Sequence, residues 1–239
     1  MIKYIFFDID NTLYDYEICN AAGISSALLF ISKSTGISIN ELSDSYKKAR
    51  SEVKNQLGNV ASSHSRLQYF KRMNEIIFNN TNSLDCLKAN NIFWTNYFNN
   101  MSLVPGIKNF LKTVNEANIT CVAATNLTTD IQFRKLSKLG ISNMFDFVIT
   151  SEDAGHEKPS EGFVNYLKLI IGFEDGDHSW FIGDDITTDL PTAKLLGSKA
   201  FIRLDRSDIN NISQKDYVGY KDINKLQSFV NDEIDNGKK

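Results

Sequence analysis

The residues of this chain that could do chemistry stand directly behind short apolar runs. YIFFDIDNTLYD, residues 4–15, places Asp8, Asp10 and Thr12 after four bulky apolar residues. Thr125 and Asn126 follow ITCVAA, Lys158 lies in the loop after FVIT, and Asp184, Asp185 and Asp189 follow WFIG. A cluster of acids with one lysine and hydroxyl or amide donors is the set that a hard cation and a phosphoryl group together require. If extended geometry continued past Phe7, Asp8 and Asp10 would point the same way, about 7 Å apart along the backbone. Their repulsion calls for a cation, a shared proton or solvation.

These residues converge only if the runs are strands of one sheet. After Val104-Pro105-Gly106 the pattern alternates helix and strand: helices at 107–117, 130–139, 162–170 and 190–196, and strands at 119–124, 147–150, 180–182 and 199–202. Such alternation implies an α/β fold, a doubly wound parallel sheet with right-handed crossovers and helices on both faces. Ligands then bind outside the carboxyl ends of the strands, where these polar residues stand.

The first strand has no crossover helix of its own. Between it and the second lies a segment that reads as four helices: ICNAAGISSALLFIS, ELSDSYKKARSEVKNQL, SRLQYFKRMNEIIF and LDCLKANNIFWTNYF. We expect residues 1–15 and 104–239 to form the α/β core, and 16–103 an inserted helical cap over the carboxyl edge of the sheet. Leu67, Phe70, Met73 and Ile77 share one helical face and Phe93, Tyr97 and Met101 another, stripes that suit a core. The polar tail after Asp205 should close with a short helix at 225–230 and a frayed end at 231–239.

Composition narrows the class. A 239-residue chain that is 42% hydrophobic can bury a sizeable core. Cys19, Cys86 and Cys121 match no metal-ligand or CxxC spacing and read as reduced thiols of a cytoplasmic protein. The start of the sequence lacks a signal-peptide pattern, and no apolar run approaches the roughly 20 residues that cross a bilayer. A net charge of -3 argues against a nucleic-acid surface, so no nucleic acid and no membrane partner is expected. Charge is uneven, with nine Lys/Arg against six Asp/Glu in 16–103 and seventeen against twenty-three elsewhere. The basic segment suits an anionic ligand, or a solvated surface.

In order and position these motifs resemble those of the haloacid dehalogenase-like (HAD) superfamily, in its phosphatase branch with a helical cap. DIDNT resembles the first motif, AATN supplies the Thr/Asn of the second, EKP the lysine of the third and GDDITTD the acids of the fourth. FDFVITSEDAGHEKPSEGF is similar to the corresponding loop of N-acylneuraminate-9-phosphatase-like and nucleotidase-like members. The resemblance implies a sheet of order 5-4-1-2-3. It implies Asp8 as the nucleophile that forms an aspartyl-phosphate, and Asp10 as the acid and base that serves the leaving group and then water. Lys158 would span Asp8 and the phosphoryl group; Thr12, Thr125 and Asn126 would bind the phosphate. Mg²⁺ would be held among Asp8, the Asp10 carbonyl and Asp184, with Asp185 either a direct ligand or further out, and Asp189 orienting a metal-bound water or Lys158.

The acid pair favours phosphoryl transfer over dehalogenation, since a departing halide needs no proton. The expected partner is a small phosphorylated metabolite, and the protein a monomer or homodimer. A phosphomutase of the same superfamily is the alternative; a receiver-like phosphoacceptor module fits less well, because the large helical insertion and DxDxT are foreign to it. Arg50, Arg66 and Arg72 could meet a second anionic group of the substrate, or be solvated helix charges.

Overall fold

In the computed structural model, residues 2–204 and 216–236 are described, with side chains to residue 233. The chain divides into two compact units: Met1–Asp15 with Ser102–Lys239, and Tyr16–Met101.

The first unit is built on a six-stranded parallel sheet: β1 (Tyr4–Phe7), β2 (Thr120–Thr125), β3 (Phe147–Thr150), β4 (Ser179–Gly183), β5 (Lys199–Arg203) and β6 (Val218–Tyr220), in the order β3-β2-β1-β4-β5-β6. The five expected strands keep the expected order, and β6 adds an edge. Three residues, VGY, at the end of a polar stretch carry too little apolar pattern to announce a strand. β1 lies central, and all four of its residues are buried, as a strand covered on both faces must be. Phe6 joins one core with Val122, Phe163, Leu167 and Phe181. Phe7 points to the opposite face, its ring 6.0 Å from that of Phe110. The crossover helices are α5 (Ile107–Glu116), α6 (Thr129–Leu139), α8 (Glu161–Ile171) and α9 (Asp189–Leu196); a single turn, α7 (Ser151–Ala154), precedes α8. The final helix, α10, runs Ile223–Asn236, longer than expected, because Ile223, Leu226 and Val230 bury a continuous apolar stripe. Of the end expected to fray, residues 231–236 are helical and 237–239 lie outside the described residues.

The second unit contains α1 (Tyr16–Thr35), α2 (Ile39–Leu57), α3 (Arg66–Phe78) and α4 (Ser83–Asn99). Polar caps start three of them: Ser38 accepts from Glu41 N (3.3 Å), Ser65 from Gln68 N (3.4 Å) and Asn82 from Asp85 N (3.3 Å). Gly23 lets α1 approach α4, since a Cβ there would lie 2.8 Å from the Phe93 ring. Phe93, Tyr97 and Met101 are buried, whereas the face expected of α3 is rotated. Leu67 is exposed, and Arg66 and Tyr69 go inside with Phe70 and Met73. Among the described residues, no helix is long and apolar enough to cross a membrane.

Candidate active site

Three strand ends supply the centre of the first unit. The β1–β4 pairing continues one residue beyond β1, with Asp8 N donating to Ile182 O at 2.9 Å, so Asp8 is held against the end of β4. β4 itself ends at Gly183, where an added Cβ would lie 2.2 Å from Asp189 Oδ2. Glycine is therefore required for Asp189, the first residue of α9, to fold back across the strand end. Its Oδ2 accepts from the backbone N–H of Asp184 (3.0 Å) and of Asp185 (3.1 Å).

Lys158 bridges this group. Its Nζ donates to Asp8 Oδ1 and Asp189 Oδ1, both at 2.7 Å, and all three side chains are buried. The loop carrying Lys158 is clipped by Asn126, whose Oδ1 accepts from Lys158 N (2.8 Å) while its Nδ2 donates to Lys158 O (3.3 Å). Asn126 thus grips the lysine backbone. Thr125, at the end of β2, is buried and its Oγ1 accepts from Gln132 Nε2 at 2.8 Å. Thr12 is buried too, and donates to Asp184 Oδ1 at 3.4 Å.

Oxygens of Asp8, Asp184 and Asp189, one from each carboxylate, lie within 4.8 Å of one another. One ammonium against three carboxylates leaves excess negative charge. Burial pushes the Asp8 carboxyl up to about 7, helped by Asp189 and Asp10 and opposed by Lys158. Burial likewise raises Asp184 to about 8, with Asp8, Asp189 and Asp185 adding to it. Lys158, despite its burial, is held above its ordinary range by Asp189 and Asp8. Clustered all-oxygen donors that resist joint ionisation fit a hard divalent cation such as Mg²⁺, which would hold them ionised.

Two acids stand apart from this group. Asp185 turns into its own loop, accepting from Thr187 N (2.7 Å) and Thr187 Oγ1 (2.6 Å). Asp10 is partly exposed, and its Oδ1 and Oδ2 accept from Lys135 Nζ at 2.6 and 2.8 Å, while Tyr14 donates its hydroxyl to Oδ1. Neither carboxylate joins the three-aspartate group. Lys135, on Asp10, and Gln132, on Thr125, thus touch candidate site residues although no motif announced them. The signal was present in α6: Gln132, Lys135 and Leu136 share its buried face, while the apolar Phe133 is exposed. His156, two residues before Lys158, is exposed.

Residues 2–197 match the haloacid dehalogenase-like hydrolase family. The chain belongs to the haloacid dehalogenase-like hydrolases. This HAD-like hydrolase is 36% identical over 199 residues to a ribulose-1,5-bisphosphate 5-phosphatase of Halopiger xanaduensis, covering 82% of each chain. In fold it is similar to a HAD phosphatase from Thermococcus onnurineus (TM-score 0.72, 20% identity, 96% and 98% of the two chains). It is also similar to the HAD-hydrolase YfnB of Bacillus subtilis, solved bound to magnesium (TM-score 0.67, 19% identity, 96% and 99%).

Proposed function

We propose that this HAD-like hydrolase is a Mg²⁺-dependent phosphatase of a small phosphorylated sugar, and that it works through an aspartyl-phosphate on Asp8. The observation that carries the reading is Asp8 itself: buried at a strand end, joined to Lys158, and grouped with Asp184 and Asp189. The sugar-phosphate class rests on the relative at 36% identity, a ribulose-1,5-bisphosphate 5-phosphatase.

Asp8 Oδ1 is held by Lys158, which leaves Oδ2 to attack phosphorus. The new bond joins that oxygen to phosphorus while the bond to the sugar oxygen breaks. Asp10 gives its proton to the departing alkoxide and then takes one from the water that attacks the same phosphorus, releasing phosphate and restoring Asp8. Lys135 and Tyr14 fix the Asp10 carboxyl in one orientation for both transfers. Lys158 offsets charge that grows on the phosphoryl oxygens. Asn126 keeps Lys158 in register, and Thr125, at the end of β2, would donate its hydroxyl to the phosphate. Asp8 and Asp184 would hold Mg²⁺, with Asp189 beside them positioning Lys158; the ion when bound would supply electrophilic activation of the phosphoryl group.

The test is a phosphate-release screen over sugar monophosphates, sugar bisphosphates and nucleoside monophosphates, with Mg²⁺ and with chelator. Release should need Mg²⁺, favour sugar phosphates and vanish in Asp8→Asn. Turnover by repurified Asp8→Asn at the wild-type rate would rule the mechanism out, and conversion of one sugar phosphate into its isomer without release would favour the mutase alternative.

A further inference from the structure

Gln132, near the start of α6, is wholly buried, and only the nitrogen of its amide is satisfied. Nε2 donates to Thr125 Oγ1 at 2.8 Å and to Asn126 O at 2.7 Å, which occupies both of its hydrogens. Oε1 has no hydrogen-bond partner among the described residues. A buried acceptor left empty is costly, so the placement of the two hydrogens has to offset it. The orientation follows from chemistry: a carbonyl oxygen can only accept, so the amide atom facing Asn126 O must be the nitrogen.

That orientation sets the polarity of the Thr125 hydroxyl. Because Oγ1 receives a hydrogen from Gln132, it keeps its own hydrogen for a partner elsewhere. The partner it has is weak: Asn126 O lies 3.3 Å away, long for a hydroxyl donor, and already accepts from Gln132 more closely. A charged phosphoryl oxygen is a stronger acceptor than a shared carbonyl. Gln132 also steadies the turn after β2. Leu127 there has φ 108, a conformation costly for any residue with a Cβ, and the turn is held by Leu127 N donating to Ser151 Oγ (2.9 Å) as well as by Gln132 on Asn126 O.

We propose that Gln132 is a positioning residue for phosphate binding, which presents the Thr125 hydroxyl as a donor to a phosphoryl oxygen without itself touching the substrate. The inference rests on the phosphatase reading, in which Thr125 is a phosphate contact.

The experiment uses the full chain with Mg²⁺ in two arms, comparing wild type, Gln132→Met, Gln132→Glu, Thr125→Ala and the double variant Gln132→Met with Thr125→Ala. In the first arm, inorganic phosphate is titrated by calorimetry. Gln132→Met should weaken phosphate about tenfold, and Gln132→Glu, whose carboxylate draws the Thr125 hydrogen onto itself, at least as much. In the second arm, KM for a sugar monophosphate should rise about tenfold with kcat within about threefold, whereas mere loss of folded protein lowers kcat and leaves KM alone. In the Thr125→Ala background, adding Gln132→Met should change neither phosphate affinity nor KM, because its effect runs through the missing hydroxyl. Should Gln132→Met fail to fold, Gln132→Glu carries the comparison, alone and with Thr125→Ala. Wild-type phosphate affinity in a folded Gln132 variant, fully additive losses in the double variant, or no phosphate binding by wild type would overturn the proposal. A wild type that binds phosphate yet hydrolyses no sugar phosphate would refute the phosphatase reading instead, and the first arm would still decide the role of Gln132.

Discussion

Mg²⁺ should stabilise the protein far more at alkaline than at acidic pH. Burial and mutual repulsion raise Asp8 to about 7 and Asp184 to about 8, both above the ordinary carboxylate value of 3.8. The unfolded chain therefore loses these protons first, and the metal-free folded state is destabilised as pH rises from the ordinary value through the folded ones. A bound cation reverses the sign, because it requires the ionised forms. Below its raised value each carboxyl must shed a proton to receive the ion, at about 1.4 kcal/mol per pH unit. For Asp8 alone the interval from about pH 5 to about pH 7 corresponds to roughly 3 kcal/mol, and Asp184 adds to it. At about 2–4 °C per kcal/mol for a chain of this length, the Mg²⁺-induced rise in Tm should grow by roughly 6–12 °C across that interval. Calorimetry in chelator and in saturating Mg²⁺ at matched pH isolates this difference from every other titration. Asp184→Asn should flatten the response and make the metal-free protein more stable than wild type near pH 8. A Mg²⁺ increment that is independent of pH, or larger in acid, would refute the electrostatic account of the three-aspartate group.

Other perturbations separate the parts of the site. Gly183→Ala pushes a Cβ into the Asp189 carboxylate, and should cost roughly 1–3 kcal/mol in urea unfolding together with most of the Mg²⁺ affinity. Asp185→Ala, which removes the bonds to Thr187 and one charge near Asp184, should leave Mg²⁺ affinity within about threefold of wild type by titration calorimetry, whereas loss of a residue that orients a metal ligand usually costs about 10–100-fold. Lys135→Met frees the Asp10 carboxyl from its two ion-pair hydrogen bonds and should lower kcat by about 10²-fold with KM nearly unchanged, as steady-state kinetics would read.

Much of this arrangement is legible in the amino-acid sequence. Asp8, Lys158, Asp184 and Asp189 follow buried strands, and parallel topology obliges strand ends to meet at one edge. Adjacent acids are harder to read. Nothing in GDD says that Asp185 turns back to Thr187 while Asp184 faces Asp8, since that depends on how Asp189 caps the loop. Lys135 escaped because a helix is read by its apolar stripe, and α6 buries a lysine and a glutamine beside Leu136 while exposing Phe133. The same rotation hid Arg66, which took the inner place expected for Leu67 on α3. β6 was too short to carry a pattern. On α3 and α6 the misreadings fell where polar side chains are buried, and there hydrophobic periodicity points away from the buried polar face.

The most direct test of the central claim is chemical trapping of the intermediate. Acid quench during turnover of a sugar phosphate, borohydride reduction and peptide mass spectrometry convert an acyl-phosphate into an alcohol at the residue that carried it. Homoserine at position 8 is the expected result; reduction at Asp10 or Asp184 instead, or at no aspartate while phosphate is being released, would contradict it.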